Sequence, residues 1–119
     1  MDISGNIGDE DDIRREYREH IEKALNLNRE FSISFERFQE LRNSQCRYCG
    51  MTSAKQDPPM LLDRFSKRGG YTMRNTVSAC EDCHRMKNVF PSVNKYIAHL
   101  NKIIEYQKLK VHMKVASSS

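Results

Sequence analysis

The sequence predicts an α+β fold, mainly helical, with a small metal-stapled core of two strands and a helix flanked by N- and C-terminal helices. Three observations predict it. Four cysteines fall as two CxxC pairs, Cys46/Cys49 and Cys80/Cys83. Between the pairs, Leu61 to Asn75 reads "LLDRFSKRGGYTMRN", strand-like on both sides of Gly69–Gly70. On either side of this segment, apolar residues recur at helical spacing. A chain of 119 residues that is 38% hydrophobic and lacks tryptophan builds one modest core. A core of that size commonly needs a staple.

Residues 1–11 read as a disordered acidic tail. From Asp12 a helix begins, and residues 12–33 form this helix and a linker. Ile13, Tyr17, Ile21 and Leu25 recur every four residues along one slowly drifting face. Asp11 and Asp12 suit the positive end of the helix dipole. His20 reads as a surface or packing residue.

Residues 34–112 read as the metal-stapled domain with its C-terminal helix. Ser34 is the N-cap of a helix over 35–43. Ile33 and Phe38 bracket it as a hydrophobic staple, and Phe35, Phe38 and Leu41 line one face. Cys46–Gly50 forms a knuckle in which Gly50 supplies backbone freedom, and "MTSAKQDPP" is a loop. The hairpin follows, with its turn at Gly69–Gly70 and Asn75 on the second strand. Thr76–Ala79 leads into the second pair, and "EDCHRMKN" starts a helix carrying Cys83 and His84. The last helix runs from about Ser92 to Lys110. Val93, Ile97, Leu100 and Ile104, beside Tyr96 and Ile103, form a stripe that reads as core. Residues 113–119 read as a frayed tail.

The first twelve residues carry five acids and no Lys or Arg, so the rest of the chain holds twenty basic against eleven acidic residues. A basic body suits a polyanionic partner, nucleic acid first. The acidic N-terminus and the helices are candidate contacts for a protein partner. No secretory pattern opens the chain and no apolar run suits a bilayer. This predicts an intracellular protein, in cytoplasm or nucleus of a cell or host, without a membrane partner. In a reducing compartment paired cysteines hold metal rather than disulfides.

Two CxxC pairs thirty residues apart can close a tetrahedral site, with sulfur about 2.3 Å from the ion. All four positions are protein ligands, which makes Cys46, Cys49, Cys80 and Cys83 a structural Zn²⁺ site. A redox CxxC needs only one pair, and iron–sulfur clusters use other spacings.

The run "LDRFSKRGGYTMRNTVSACEDCHRMK" from Leu62 to Lys87 resembles the HNH endonuclease family. It is similar to zinc-containing members in which one CxxC precedes the ββα-metal motif and another opens its helix, a treble-clef-like arrangement. The stretch "SFERFQELRNSQCRYCG" resembles the leader of phage and large-DNA-virus HNH proteins. The likeness covers residues 34–90. It implies that Asp63 and His84 bind a catalytic divalent ion, Mg²⁺ or Mn²⁺, and that Asn75 braces the hairpin. It also implies a histidine general base where this chain has Arg64.

A guanidinium stays charged, with a pKa above about 12, and cannot accept a proton from water. Arg64 is suited to bind phosphate or stabilise charge on it. Two function classes follow. One is a divalent-metal-dependent DNA endonuclease, or a derivative impaired because Arg64 replaces the base. The other is a non-catalytic zinc-stabilised adaptor for DNA, RNA or protein. In either, Arg64, Lys67, Arg68, Arg74, Arg85 and Lys87 are candidate nucleic-acid contacts.

Overall fold

The computed structural model describes residues 9–52 and 59–118. Residues 1–8 of the expected acidic tail and 53–58 of the expected loop lie outside the described residues. The fold is α+β, as the sequence predicts. Among the described residues, four helices, α1 (Glu10–Asn26), α2 (Phe35–Arg42), α3 (Glu81–Lys87) and α4 (Val93–Ser118), accompany strands β1 (Leu61–Arg64) and β2 (Thr76–Ala79). Among the described residues no helix is long and apolar enough to cross a membrane. The chain divides within α3 into one compact unit ending at Arg85 and a second beginning at Met86. The boundary falls inside the expected 34–112 segment.

In the first unit, α1 starts two residues earlier than the sequence suggests. Asp9 is the N-cap; its carboxylate accepts from the Asp12 N–H at 2.8 Å and its carbonyl from the Ile13 N–H at 3.0 Å. Glu10 and Asp11, expected in a disordered tail, thus belong to the helix. The stripe on α1 also ends differently. Ile13 is buried and Tyr17 packs on the core, but Leu25 is 71% exposed and Ala24 is buried in its stead. A step of four residues overshoots a helical turn by about 40°, so three steps carry Leu25 about 120° off the face. Asn28, at φ 56°, ends the helix in the left-handed region that asparagine tolerates.

Ser34 caps α2, its hydroxyl accepting from the Arg37 N–H at 3.1 Å. Ile33 and Phe38, the expected staple, are both buried, and with Ile13, Leu41 and Leu62 they form the core. α2 packs against α1 on one side and against β1 and β2 on the other. Its buried residues are Phe38, Leu41 and Arg42, the positions i, i+3 and i+4 of one face. Arg42 enters that face because its guanidinium meets the Glu16 carboxylate of α1 through two bonds, Nε–Oε2 at 3.1 Å and Nη2–Oε1 at 3.0 Å.

β1 and β2 are antiparallel, with Leu61 opposite Ala79 and Arg64 opposite Thr76. The second strand thus begins after Asn75 rather than running up to it. Gly69–Gly70 is not the turn of a tight hairpin. The chain turns at Ser66–Gly69 and again at Thr72–Thr76. Between these turns Tyr71 bridges to Phe31 in the α1–α2 linker. The two glycines serve close approach. A Cβ on Gly70 would meet the Glu30 carbonyl at 2.7 Å, and one on Gly69 would meet Asn75 Nδ2 at 2.8 Å.

In the second unit α4 continues helical to Ser118, where the sequence suggests a helix end near Lys110 and a frayed tail. Tyr96 is buried, and Phe90 contacts both Tyr96 and His99. The expected core stripe does not continue. Ile103 is 44% and Ile104 48% exposed, and Leu109 and Val111 are more so.

Candidate metal centre and the Asp63–His84 site

The first knuckle is built by backbone bonds. The Cys46 N–H donates to the Met51 carbonyl and the Gly50 N–H to the Cys46 carbonyl. Gly50 takes φ 81°, a conformation that costs glycine little. The Arg47 N–H donates to the Ser78 carbonyl of β2 at 2.8 Å, which ties the knuckle to the sheet. Cys80 follows β2 directly, and Cys83 lies in the first turn of α3. The His84 N–H donates to the Cys80 carbonyl at 2.9 Å.

All four sulfurs lie within 4.8 Å of one another, with Cys49 and Cys80 at 3.8 Å. A tetrahedron with 2.3 Å metal–sulfur bonds has edges of about 3.8 Å, so the cluster is sized for one ion. The Tyr48 and Cys83 N–H groups donate to the Cys46 and Cys80 sulfurs, each at 3.4 Å. Burial alone would raise the Cys46 thiol, but the backbone donors around it outweigh burial and hold its pKa below the usual range. Cys49 is shifted upward, first by burial and then by neighbouring thiols. Four convergent thiols fit a structural metal ion with no open position.

At the end of β1 the Asp63 side chain is 2% exposed. Its Oδ1 lies 2.8 Å from His84 Nδ1, and its Oδ2 accepts from the Tyr48 hydroxyl at 2.7 Å. The two residues that the resemblance pairs as ligands are thus in direct contact, with His84 about one-third exposed. Tyr48 was not among the residues that the sequence analysis singled out. Its signal was its place inside a CxxC knuckle, on the same tight turn as two ligands. Burial, first, and the Asp63 carboxylate beside it push the Tyr48 phenol well above its ordinary pKa, so its hydroxyl keeps its proton and donates.

Strand pleating sends Asp63 and Arg64 to opposite faces. Arg64 Nη1 donates to the carbonyls of Lys67 at 2.8 Å and Gly69 at 3.1 Å, and the guanidinium lies 5.9 Å from the Tyr71 ring centre. Arg64 thereby organises the loop after β1. Asn75 closes the same loop. Its Oδ1 accepts from the Ser66 N–H at 2.9 Å, and its Nδ2 donates to the Ser66 and Gly70 carbonyls at 3.0 and 2.9 Å.

Lys67, Arg68 and Arg74 are exposed on this loop, and Arg85 is exposed on α3. Lys87, in the second unit, is 3% exposed, which separates it from the other candidate phosphate contacts. Arg47, which the sequence analysis did not single out, lies over the Phe65 ring at 5.7 Å, and Phe65 is parallel to Tyr48 with centroids 6.3 Å apart.

Comparison with known proteins gives two findings and one negative. The fold resembles that of the rare-cutting HNH restriction endonuclease PacI. The TM-score is 0.61 at 18% identity, over 79% of this chain and 78% of that one. An uncharacterised protein of Acanthamoeba polyphaga mimivirus is 33% identical over 88 residues, 74% of this chain. The match spans only 15% of that viral protein's length. No protein-family profile matches the chain. The structural likeness supports an HNH-like ββα-metal fold.

Proposed function

We propose that the protein is a zinc-stabilised, HNH-like nucleic-acid-binding protein that nicks DNA with the help of a divalent ion, at a rate limited by the arginine in the base position. The contact between Asp63 and His84 carries this reading. A carboxylate that is 2% exposed is set 2.8 Å from an imidazole, and the two come from the strand and the helix of an HNH-like fold. The carboxylate oxygen suits Mg²⁺ or Mn²⁺, and the imidazole nitrogen weights the choice towards the transition metal, Mn²⁺. Zn²⁺ is the ion suited to the four thiols.

An ion held by Asp63 and His84 would supply Lewis acidity at a phosphate and would acidify a bound water. The chain's own residues do the rest. Tyr48 orients the Asp63 carboxylate. Asn75 and Arg64 fix the loop that carries Lys67 and Arg68. Arg64, on the face opposite Asp63 and bonded to the Lys67 and Gly69 carbonyls, adds a fixed positive charge to this loop rather than moving a proton. Lys67, Arg68, Arg74 and Arg85 neutralise phosphates, so log affinity should fall by about 0.9 per log unit of salt for each phosphate contacted.

A non-catalytic adaptor is the second reading, and Arg64 favours it. Its guanidinium is bonded to loop carbonyls, and it occupies the position where the family places its proton acceptor. A plasmid-nicking assay with Mg²⁺ or Mn²⁺ separates the two. Nicking by the wild type that is lost in His84→Ala supports the nuclease. Inactivity of the wild type with nicking by Arg64→His supports a lost base. DNA binding without nicking in either protein supports the adaptor, and no nucleic-acid affinity at low salt would sink both nucleic-acid readings and leave a protein-interaction role.

A further inference from the structure

We infer that Tyr48 is a positioning residue that links the four-cysteine cluster to the Asp63–His84 site, so that the first ion organises the second. This rests on the proposed reading of Asp63 and His84 as ion ligands. The two side chains that hold Asp63 each sit beside a cysteine of a different knuckle. Tyr48 lies between Cys46 and Cys49, and its hydroxyl reaches Oδ2 at 2.7 Å. His84 follows Cys83, and its Nδ1 reaches Oδ1 at 2.8 Å. Closing both knuckles on one ion therefore fixes both groups that aim the carboxylate.

The arrangement is rigid on the Tyr48 side. The Tyr48 N–H is bonded to the Cys46 sulfur, and its ring lies parallel to Phe65, two residues beyond Asp63. A carboxylate that is 2% exposed has little water to orient it. Without the hydroxyl, its second oxygen loses a charge-assisted bond and its direction is less constrained. Outer partners of metal ligands act in this way, and their loss commonly lowers affinity by about 10- to 100-fold.

The test uses the full chain as wild type, Tyr48→Phe, Phe65→Leu and His84→Ala. Zinc content is read by elemental analysis and Mn²⁺ affinity by calorimetry on the zinc-loaded proteins. Tyr48→Phe should keep one zinc per chain and bind Mn²⁺ about tenfold more weakly. Phe65→Leu removes the parallel ring but not the hydroxyl, and should weaken Mn²⁺ binding clearly less than Tyr48→Phe does. Wild-type Mn²⁺ affinity in zinc-loaded Tyr48→Phe overturns the inference while leaving the ion-site reading intact. An equal loss in Phe65→Leu overturns it in favour of ring packing. Loss of zinc from Tyr48→Phe overturns it by assigning the hydroxyl to the first site. Wild-type protein that binds no Mn²⁺, or His84→Ala that binds it undiminished, removes the ion-site reading itself.

Discussion

α1 and α4 look alike in sequence and end differently in the fold. Both carry apolar residues at intervals of three and four with charged residues between them. α1 commits Ile13 and Tyr17 to a core shared with α2 and β1. α4 leaves Ile103, Ile104, Leu109 and Val111 in solvent. Periodicity shows that a helix has an apolar face, but burial requires a second surface opposite it. For α1 that surface comes from α2, to which Glu16 and Arg42 join it, and from β1, whose sheet is tied by Arg47 to the first cysteine knuckle.

Substitutions should sharpen this contrast, and the largest effect is expected at the cysteines. Cys80→Ser removes one of four metal ligands. Structural zinc sites contribute about 10–16 kcal/mol in small domains, more than a modest core can replace. The cooperative thermal transition of the first unit should disappear, as should the near-ultraviolet dichroism of its tyrosines. A variant melting like the wild type would remove the cysteines from the account.

Next is Phe38→Ala, which opens a cavity at the fully buried centre of the core. A loss of about 3–5 kcal/mol is expected in urea unfolding. Glu16→Gln follows at about 1–2 kcal/mol, because it removes the charge that faces the nearly buried Arg42 guanidinium, although Glu16 itself is 43% exposed. A loss below about 0.5 kcal/mol would show that the Glu16 charge contributes little to holding Arg42.

A smaller effect is expected from pH. His20 lies against the Phe38 ring, and its pKa is lowered from the ordinary 6.5 by burial, the largest cause. Glu16 and Glu19 raise it, while Lys23 and Arg42 lower it, and burial prevails. The unfolded chain therefore takes up a proton before the folded one does. The stability due to neutral His20 is complete above about pH 6.5 and is lost as pH falls below it. Melting temperatures from pH 7.5 to 5.5 should fall more for the wild type than for His20→Gln, and parallel profiles would contradict this. The smallest effect is expected at Ile104→Ala, within about 0.5 kcal/mol, because its side chain is already half exposed.

Much of this was legible in local sequence. The CxxC spacing gave the cluster. Ser34 with Ile33 and Phe38 gave the start of α2. The pairing of His84 with Asp63 came from the HNH resemblance rather than from spacing alone. What the sequence hid was long-range. Gly69–Gly70 reads as a turn, yet both glycines are needed because Glu30 and Asn75 approach them closely. Tyr48 reads as part of a knuckle until β1 brings Asp63 to its hydroxyl. Nothing local marks Arg42 for burial, and Glu16, 26 residues earlier, meets it across two helices. Each depends on a partner distant in sequence, and no short window contains both members.

The central claim is that four sulfurs on one ion clasp the sheet to α3 and so bring His84 to Asp63. Elemental analysis of the purified chain, followed by titration with a thiol-reactive dye under native conditions, tests it most directly. The account expects one zinc per chain and thiols that react only as that zinc is released. Four freely reactive thiols in a folded protein without bound metal would contradict it.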